Sequence, residues 1–193
     1  MSSKIEIICA GLGGQGVLFL GRTLATIMAL TKRGNVVEFE FYSAEKRGNI
    51  SIAEILYSKN GEDIFQTRVE KADYIILLHP KALIKTVRDT ISSSTLIILN
   101  SSLKGYSISK SISCVKIPAL ELALKNSGTW RVMNMVMLGA FIELTRMMTI
   151  SEVVAYLKKT MHGHAMLEAN IKAVLAGYEY ARNSLPSITR PNP

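Results

Sequence analysis

Cysteine is nearly absent from this chain: its 193 residues hold two, Cys9 and Cys114. A zinc ribbon or an iron–sulfur cluster needs about four ligands in close groups, so this chain alone builds neither. Two distant cysteines make no disulfide framework either. Long apolar runs are also missing. The longest helical one, Val132 to Ile142, is interrupted by Asn134 and ends at Glu143, well short of the roughly 20 residues a bilayer span needs. Met1-Ser2-Ser3-Lys4 runs straight into a strand-like segment without an apolar leader. The expectation is a soluble protein of a reducing cytoplasm. Acidic residues are outnumbered, 15 against 23 Lys and Arg, leaving a formal charge of +8. That excess suits an anionic partner, whether nucleic acid, a phosphorylated cofactor or an acidic protein, and does not choose among them. With 48% hydrophobic and 20% charged residues, disordered and low-complexity classes are excluded.

What is present reads as alternating strands and helices. Ile5 to Cys9 is β-branched and apolar, as in a strand. The loop Ala10 to Gly16 follows. Val17 to Lys32 then reads as a helix with Val17, Leu20, Leu24, Ile27 and Met28 on one stripe, and Gly34 ends it. Val36 to Phe41 is a second strand, with Val37, Phe39 and Phe41 on one face. This is the strand–glycine loop–helix–strand order of a nucleotide-binding unit. Ile50 to Ser58, Tyr74 to Leu78, Thr95 to Leu99 and Ser113 to Ile117 read as further strands, the middle two apolar enough to lie inside a sheet. Pro80 opens the helix after Leu78, and Lys104 to Lys110 is a surface connection.

From Pro118 the pattern is helical. Thr149 and Glu152 form a capping box, with Met148 and Val153 as its staple. A last helix from about Ala165 to Arg182 carries Leu167, Ile171, Val174, Leu175 and Tyr178 on one face. The fold expected is α/β: a Rossmann-like, mostly parallel sheet flanked by helices, with a helical C-terminal part. Residues 1–183 make one domain and 184–193 a flexible tail.

Gly11, Gly13 and Gly16 fit G-x-G-x-x-G between a strand and a helix. In that motif Gly11 permits the tight turn, Gly13 lets backbone approach a ligand, and Gly16 lets helix and strand pack closely. Amides at the helix start then face a phosphate. The same residues also suit a plain strand–helix turn. A dehydrogenase further needs a carboxylate roughly 20 residues on, at the end of the second strand. Glu38 and Glu40 are placed for it, yet an alternating strand also puts polar residues there. Gly14-Gln15 is an unusual filling of such a loop, and no catalytic His, Lys or Tyr constellation follows.

Tyr42 to Ser51 places Ser43, Glu45, Arg47, Gly48 and Asn49 between two strands. Arg47 offers a planar fork for phosphate or carboxylate; the alternative is a solvated loop with a Glu–Arg pair. His79 stands at the C-terminal end of a buried strand, where ligands of open α/β sheets collect, though such a histidine also serves as a cap. His162 and His164 flank Gly163 without the spacing of a helical metal pair. Met133, Met135, Met137, Met147 and Met148 suit either core or an adaptable interface.

These segments resemble one family. AGLGGQGV at Ala10–Val17 is similar to the G-x-G-G-Q-G-V signature of the γ component of 2-oxoacid:ferredoxin oxidoreductases. Tyr42 to Ser51 resembles its Y-x-x-E-x-R-G-G-x-S, with Asn49 in place of the second glycine; Asn tolerates a left-handed backbone. Val69 to Leu78 resembles its strand entry, NMVMLG at Asn134–Gly139 its N-x-x-x-L-G helix, and Asn170 with Gly177 its final helix. The resemblance covers about residues 5 to 180.

The resemblance implies a subunit rather than a complete enzyme, with no catalytic and no metal-binding residue of its own. It implies α, β and δ partner subunits in the cytoplasm, with ferredoxin reached through the complex and no role for nucleic acid or membrane. Thiamine diphosphate, Mg²⁺ and iron–sulfur clusters fall to the partners. This chain has no GDG…N segment for thiamine diphosphate. The cofactor-binding residues implied are Gly11, Gly13, Gly14, Gln15, Gly16, Ser43, Glu45, Arg47, Gly48 and Asn49. They either contact coenzyme A (CoA) or form a structural turn at a subunit interface. The alternative function is a free-standing NAD(P)- or nucleotide-binding Rossmann protein. The oxoacid is not legible in the sequence.

Overall fold

In the computed structural model, the residues described are 4–31, 34–42, 49–102 and 111–184. They fall in two compact units, Met1–Leu99 with Leu103–Lys116, and Asn100–Ser102 with Ile117–Pro193. The expected tail lies outside the described residues except for Ser184, as does the connection Lys104 to Lys110.

The first unit is organised by β1 (Lys4–Leu12), whose residues Ile7 to Ala10 are wholly buried. A strand with no polar face must be covered on both sides, and β1 is central. Five more strands complete the sheet: β2 (Asn35–Tyr42), β3 (Ile50–Ser58), β4 (Tyr74–Leu77), β5 (Leu96–Asn100) and β6 (Ser113–Ile117), in the order β2-β3-β1-β4-β5-β6. β4 and β5 run parallel to β1. β3 runs against both β1 and β2. So β1, β2, β4 and β5 share one direction and β3 alone among these five is reversed. The mostly parallel sheet expected from the sequence is present, with one reversed strand inserted between β1 and β2.

Register sorts the side chains onto two faces. One carries Ile8 and Ala10 of β1, Ile52 and Leu56 of β3, and Ile75 and Leu77 of β4, packed with Ala82 and Val87. These last two belong to a 3-10 turn, Pro80–Ala82, and to the short helix α2 (Lys85–Arg88). The other face carries Ala53, against which α1 (Val17–Thr31) lies so closely that a methyl at Gly21 would overlap its Cβ. The stripe read from the sequence, Val17, Leu20, Leu24, Ile27 and Met28, is the one α1 buries.

The second unit is helical: α3 (Ala119–Ser127), α4 (Met133–Thr145), α5 (Ile150–Thr160) and α6 (Leu167–Ser184). Its entry is well capped. Asn100 Oδ1 accepts from the amides of Ser102 at 3.2 Å and Ala119 at 3.3 Å. The expected capping box of α5 is present, Glu152 Oε2 accepting from the Thr149 amide at 2.6 Å and Thr149 Oγ1 from the Glu152 amide at 3.2 Å.

Met133 to Glu143 is buried without a break, so of the two readings given for Met133, Met135 and Met137 the core one holds. The expected stripe of α6 needs correction: the helix buries Asn170, Ala173, Val174, Gly177 and Ala181, so of that stripe Val174 alone is fully buried, while Leu175 is 38% exposed. The cause is a backbone-to-backbone crossing. A methyl on Gly139 of α4 would overlap the Val174 carbonyl of α6, and one on Gly177 would overlap the Val136 carbonyl of α4. Helices this close admit only small residues on the facing stripe.

Candidate functional site

The chain leaves β1 through the glycine segment at the C-terminal edge of the parallel strands. Gly11 is still a strand residue, opposite Ser51. It must be glycine for space: a Cβ there would sit 2.8 Å from Gln15 Oε1, 2.8 Å from Val17 Cγ2 and 3.0 Å from Leu78 Cβ. The turn itself falls on Gly14 and Gly16, at φ +89° and +73°, angles that glycine adopts without penalty. Gln15 folds back to hold it. Its Oε1 accepts from the Leu12 amide at 2.7 Å, and its own amide donates to the Leu12 carbonyl at 3.1 Å. The Gly16 carbonyl accepts the first helical bond, from Leu20 N–H at 2.9 Å. The roles expected for Gly11 and Gly16 are thus exchanged: Gly11 provides the close packing, Gly16 the turn.

Gly13 joins the loop to the second segment. Its amide donates to the Asn49 carbonyl at 2.6 Å. Pairing across the strands repeats the association, with Gly11 opposite Ser51 and Ser51 opposite Tyr42. Of the ten site residues expected from the sequence, six are described, Gly11, Gly13, Gly14, Gln15, Gly16 and Asn49, and they stand together. Ser43, Glu45, Arg47 and Gly48 lie outside the described residues. At Gly14 no described atom comes within 4 Å of a would-be Cβ, so the loop offers open space there.

On the neighbouring strand, the Leu78 amide donates to the Ala10 carbonyl at 2.8 Å. The next residue, His79, caps the Pro80–Ala82 turn, its Nδ1 accepting from Lys81 N–H at 3.1 Å. Partial burial, then the Lys81 charge, hold its pKa below the usual histidine value.

Glu38 and Glu40 do not serve as a ribose site. β3 separates their strand from β1, and α1 covers them. Glu38 Oε1 lies 2.9 Å from the place a Gly21 methyl would take and has no hydrogen-bond partner among the described residues. Glu40 pairs with Arg22 of α1 at 2.7 Å. Burial, with a smaller push from Glu40 against the pull of Arg22, raises the Glu38 carboxyl pKa to about 7. Cys9 is fully buried on β1, and burial with the Glu38 charge pushes its thiol far up. It is no nucleophile.

A pair of carboxylate anchors was not singled out in the sequence. Glu54, 3% exposed on β3, accepts from the Val69 amide at 2.7 Å and from Arg68 Nη2 at 3.4 Å. Glu6 accepts from the amides of Glu70 at 2.7 Å and Lys71 at 3.0 Å. Together they fix the segment that enters β4. The signal was a lone Glu inside the apolar run Ile50–Ser58. Among the described residues no group of three His, Cys, Asp or Glu is placed to hold a metal ion, and no helix is long and apolar enough to cross a membrane.

Comparison with known proteins decides the family. The pyruvate ferredoxin/flavodoxin oxidoreductase family model matches residues 6–180. The chain belongs to this family. Within the family, it is 30% identical to the 2-oxoglutarate synthase subunit KorC of Methanothermobacter marburgensis, over 90% of this chain and 95% of that one. It is 32% identical to the KorC subunit of Archaeoglobus fulgidus, over 99% and 93%. The γ subunit of a Geobacter sulfurreducens keto/oxoacid ferredoxin oxidoreductase has the same fold, with a TM-score of 0.76 at 24% identity over 92% of this chain and 98% of that one. So does part of the Magnetococcus marinus 2-oxoglutarate:ferredoxin oxidoreductase, solved with 2-oxoglutarate, coenzyme A and succinyl-CoA bound. There the TM-score is 0.82 at 22% identity, and all of this chain spans 33% of that longer one. This pyruvate ferredoxin/flavodoxin oxidoreductase chain therefore matches, nearly end to end, proteins that are each one subunit of an oxidoreductase rather than a whole one. The free-standing NAD(P)- or nucleotide-binding alternative is overturned by that membership and by the position of Glu38 and Glu40 under α1.

Proposed function

We propose that this chain works with α, β and δ subunits in a thiamine diphosphate-dependent 2-oxoacid:ferredoxin oxidoreductase, and that its glycine loop and the 42–51 segment together hold coenzyme A. The hydrogen bond from Gly13 to Asn49 carries the reading, because it makes the two family motifs one edge. The open space over Gly14 suits a diphosphate, which a side chain there would fill. The family likeness to an enzyme solved with coenzyme A bound points the same way. Thiamine diphosphate, Mg²⁺ and the clusters fit other chains, since this one has two cysteines and no GDG…N segment. Thiamine diphosphate supplies the decarboxylation chemistry when bound there. This chain's part is to bind and orient the acyl acceptor, while electrons leave through the partners to ferredoxin.

Arg47→Ala in the reassembled complex tests the assignment. Loss of one charge-assisted bond, about 1.5–3 kcal/mol, corresponds to a roughly ten- to hundred-fold rise in the KM for coenzyme A. The oxoacid KM stays where it was. An unchanged coenzyme A KM in an intact complex overturns the reading; weaker assembly with unchanged KM assigns the segment to a subunit interface.

A further inference from the structure

β1 and β4 are adjacent parallel strands whose chains leave in opposite directions. From β1 the chain passes to α1, on the face of Ala53 and Glu38. From β4 it passes to the Pro80–Ala82 turn and α2, on the face of Ile8, Ala10 and Ile52. Such a divergence opens a crevice beyond the C-terminal ends of the two strands, the place where open α/β sheets take their ligands. One wall is the glycine loop. The other begins at His79, the first residue after the last rung between Leu78 and Ala10.

His79 is held for use. Its backbone is extended, at φ −145° and ψ 133°, and Pro80 follows it. Its Nδ1 is engaged by the Lys81 amide, so in the neutral ring the proton is on Nε2. A cap needs only an acceptor, which Asn, Asp, Ser or Thr supplies. Histidine adds a second, distal group that the cap does not use. The ring's lowered pKa keeps that group a neutral N–H donor near pH 7.

We propose that His79 is a further ligand-binding residue, whose Nε2–H donates to an acceptor oxygen of coenzyme A across the crevice from the glycine loop. This rests on the coenzyme A reading given above. Two substitutions separate the donor from the cap. His79→Asn keeps an acceptor at the Nδ1 position and removes the distal donor. His79→Gln keeps a distal donor and removes the near acceptor. Both are measured in the reassembled complex, by steady-state kinetics and thermal unfolding. KM does not depend on the fraction of complex that is folded, so partial instability does not mask the result.

The expected outcome is a roughly ten-fold higher coenzyme A KM for His79→Asn, with unchanged oxoacid KM and midpoint. His79→Gln should show a coenzyme A KM near that of the unaltered complex and a lower midpoint. The reverse pattern, Asn indistinguishable from the unaltered complex and Gln merely unstable, leaves His79 a cap and overturns the proposal. A Gln variant whose coenzyme A KM rises as far as that of Asn also overturns it. Arg47→Ala in parallel tells which idea has failed. If it raises the KM and His79→Asn does not, only the His79 assignment falls. If neither does, the coenzyme A reading falls and takes this one with it.

Discussion

The Gly13 amide donates to the Asn49 carbonyl at 2.6 Å, binding a strand–helix turn to the end of a hairpin. This bond changes how the glycine motif is to be read. Gly13 does not offer its amide to a ligand, and neither does Gln15, which donates to Leu12. A phosphate at this loop must find other donors, from the start of α1 or from neighbouring segments.

The Gly13 amide is accordingly expected to exchange slowly with solvent in the unliganded chain, although it lies in a loop. Hydrogen exchange resolved to that residue checks this. Exchange at the rate of a free loop amide would mean that the two motifs come apart in solution.

At Gly14 the requirement is conformational. Gly14→Ala meets no described atom within 4 Å, yet must hold φ +89°. A loss of about 1–2 kcal/mol in unfolding free energy is expected from the left-handed strain, read by urea denaturation. Gly14→Asn should lose less, because Asn tolerates that region better.

Gly139→Ala and Gly177→Ala should each be far more damaging. The added methyl strikes a carbonyl of the opposite helix, and backbone cannot rotate away as a side chain does. Each should cost about 3 kcal/mol or more, at or beyond the upper end for overpacked cores. Thermal unfolding measures it. A loss within 1 kcal/mol, on the order of an ordinary surface change, would mean that the helices lie further apart than described.

Glu38 gives a pH dependence of defined sign. Its carboxyl pKa is about 7 when folded, above the 4.5 of an ordinary Glu. The folded chain therefore holds more proton between these values, and stability from this group falls as pH rises from about 4.5 to about 7, then levels. Glu38→Gln should remove that slope and stabilise the chain at pH 8 by roughly 1–2 kcal/mol, allowing for solvent screening of a partly exposed group. Midpoints of unfolding across the range test both statements.

Glu54 should behave in the opposite sense when removed. Glu54→Ala leaves the buried Val69 amide without its acceptor, at a cost of about 1–3 kcal/mol. Glu54→Gln keeps an acceptor oxygen and should recover part of that loss. Urea unfolding of both variants checks the order.

Much of the fold was legible because its signals are local. β3 and β6 begin and end at the bounds read from the sequence, Ile50–Ser58 and Ser113–Ile117, and the α5 capping box needs only Thr149 and Glu152. The glycine loop was legible as a loop because its glycines stand between a strand and a helix. What the sequence could not show depends on distant partners. Nothing within Ile50–Ser58 tells that it will run backwards between β1 and β2. The buried stripe of α6 was misread because large residues usually mark the inner face, whereas here the Gly139–Gly177 approach selects small ones. Glu38 and Glu40 alternate as solvated residues would, and only the placement of α1 over them gives Glu38 its buried oxygen.

The reversed strand has a consequence for the chain before it meets its partners. Because β3 takes the place beside β1, β2 becomes the outer strand, and among the described residues it pairs with β3 alone. It ends in Phe41, 44% exposed, and Tyr42, 72% exposed. An unpaired edge with aromatic residues at its tip invites another strand. Beside it, the Arg22–Glu40 ion pair ties α1 to this strand. A newly made chain is thus adhesive along Asn35–Tyr42. Salt, which weakens exposed ion pairs, should increase strand-to-strand clumping of the lone subunit there.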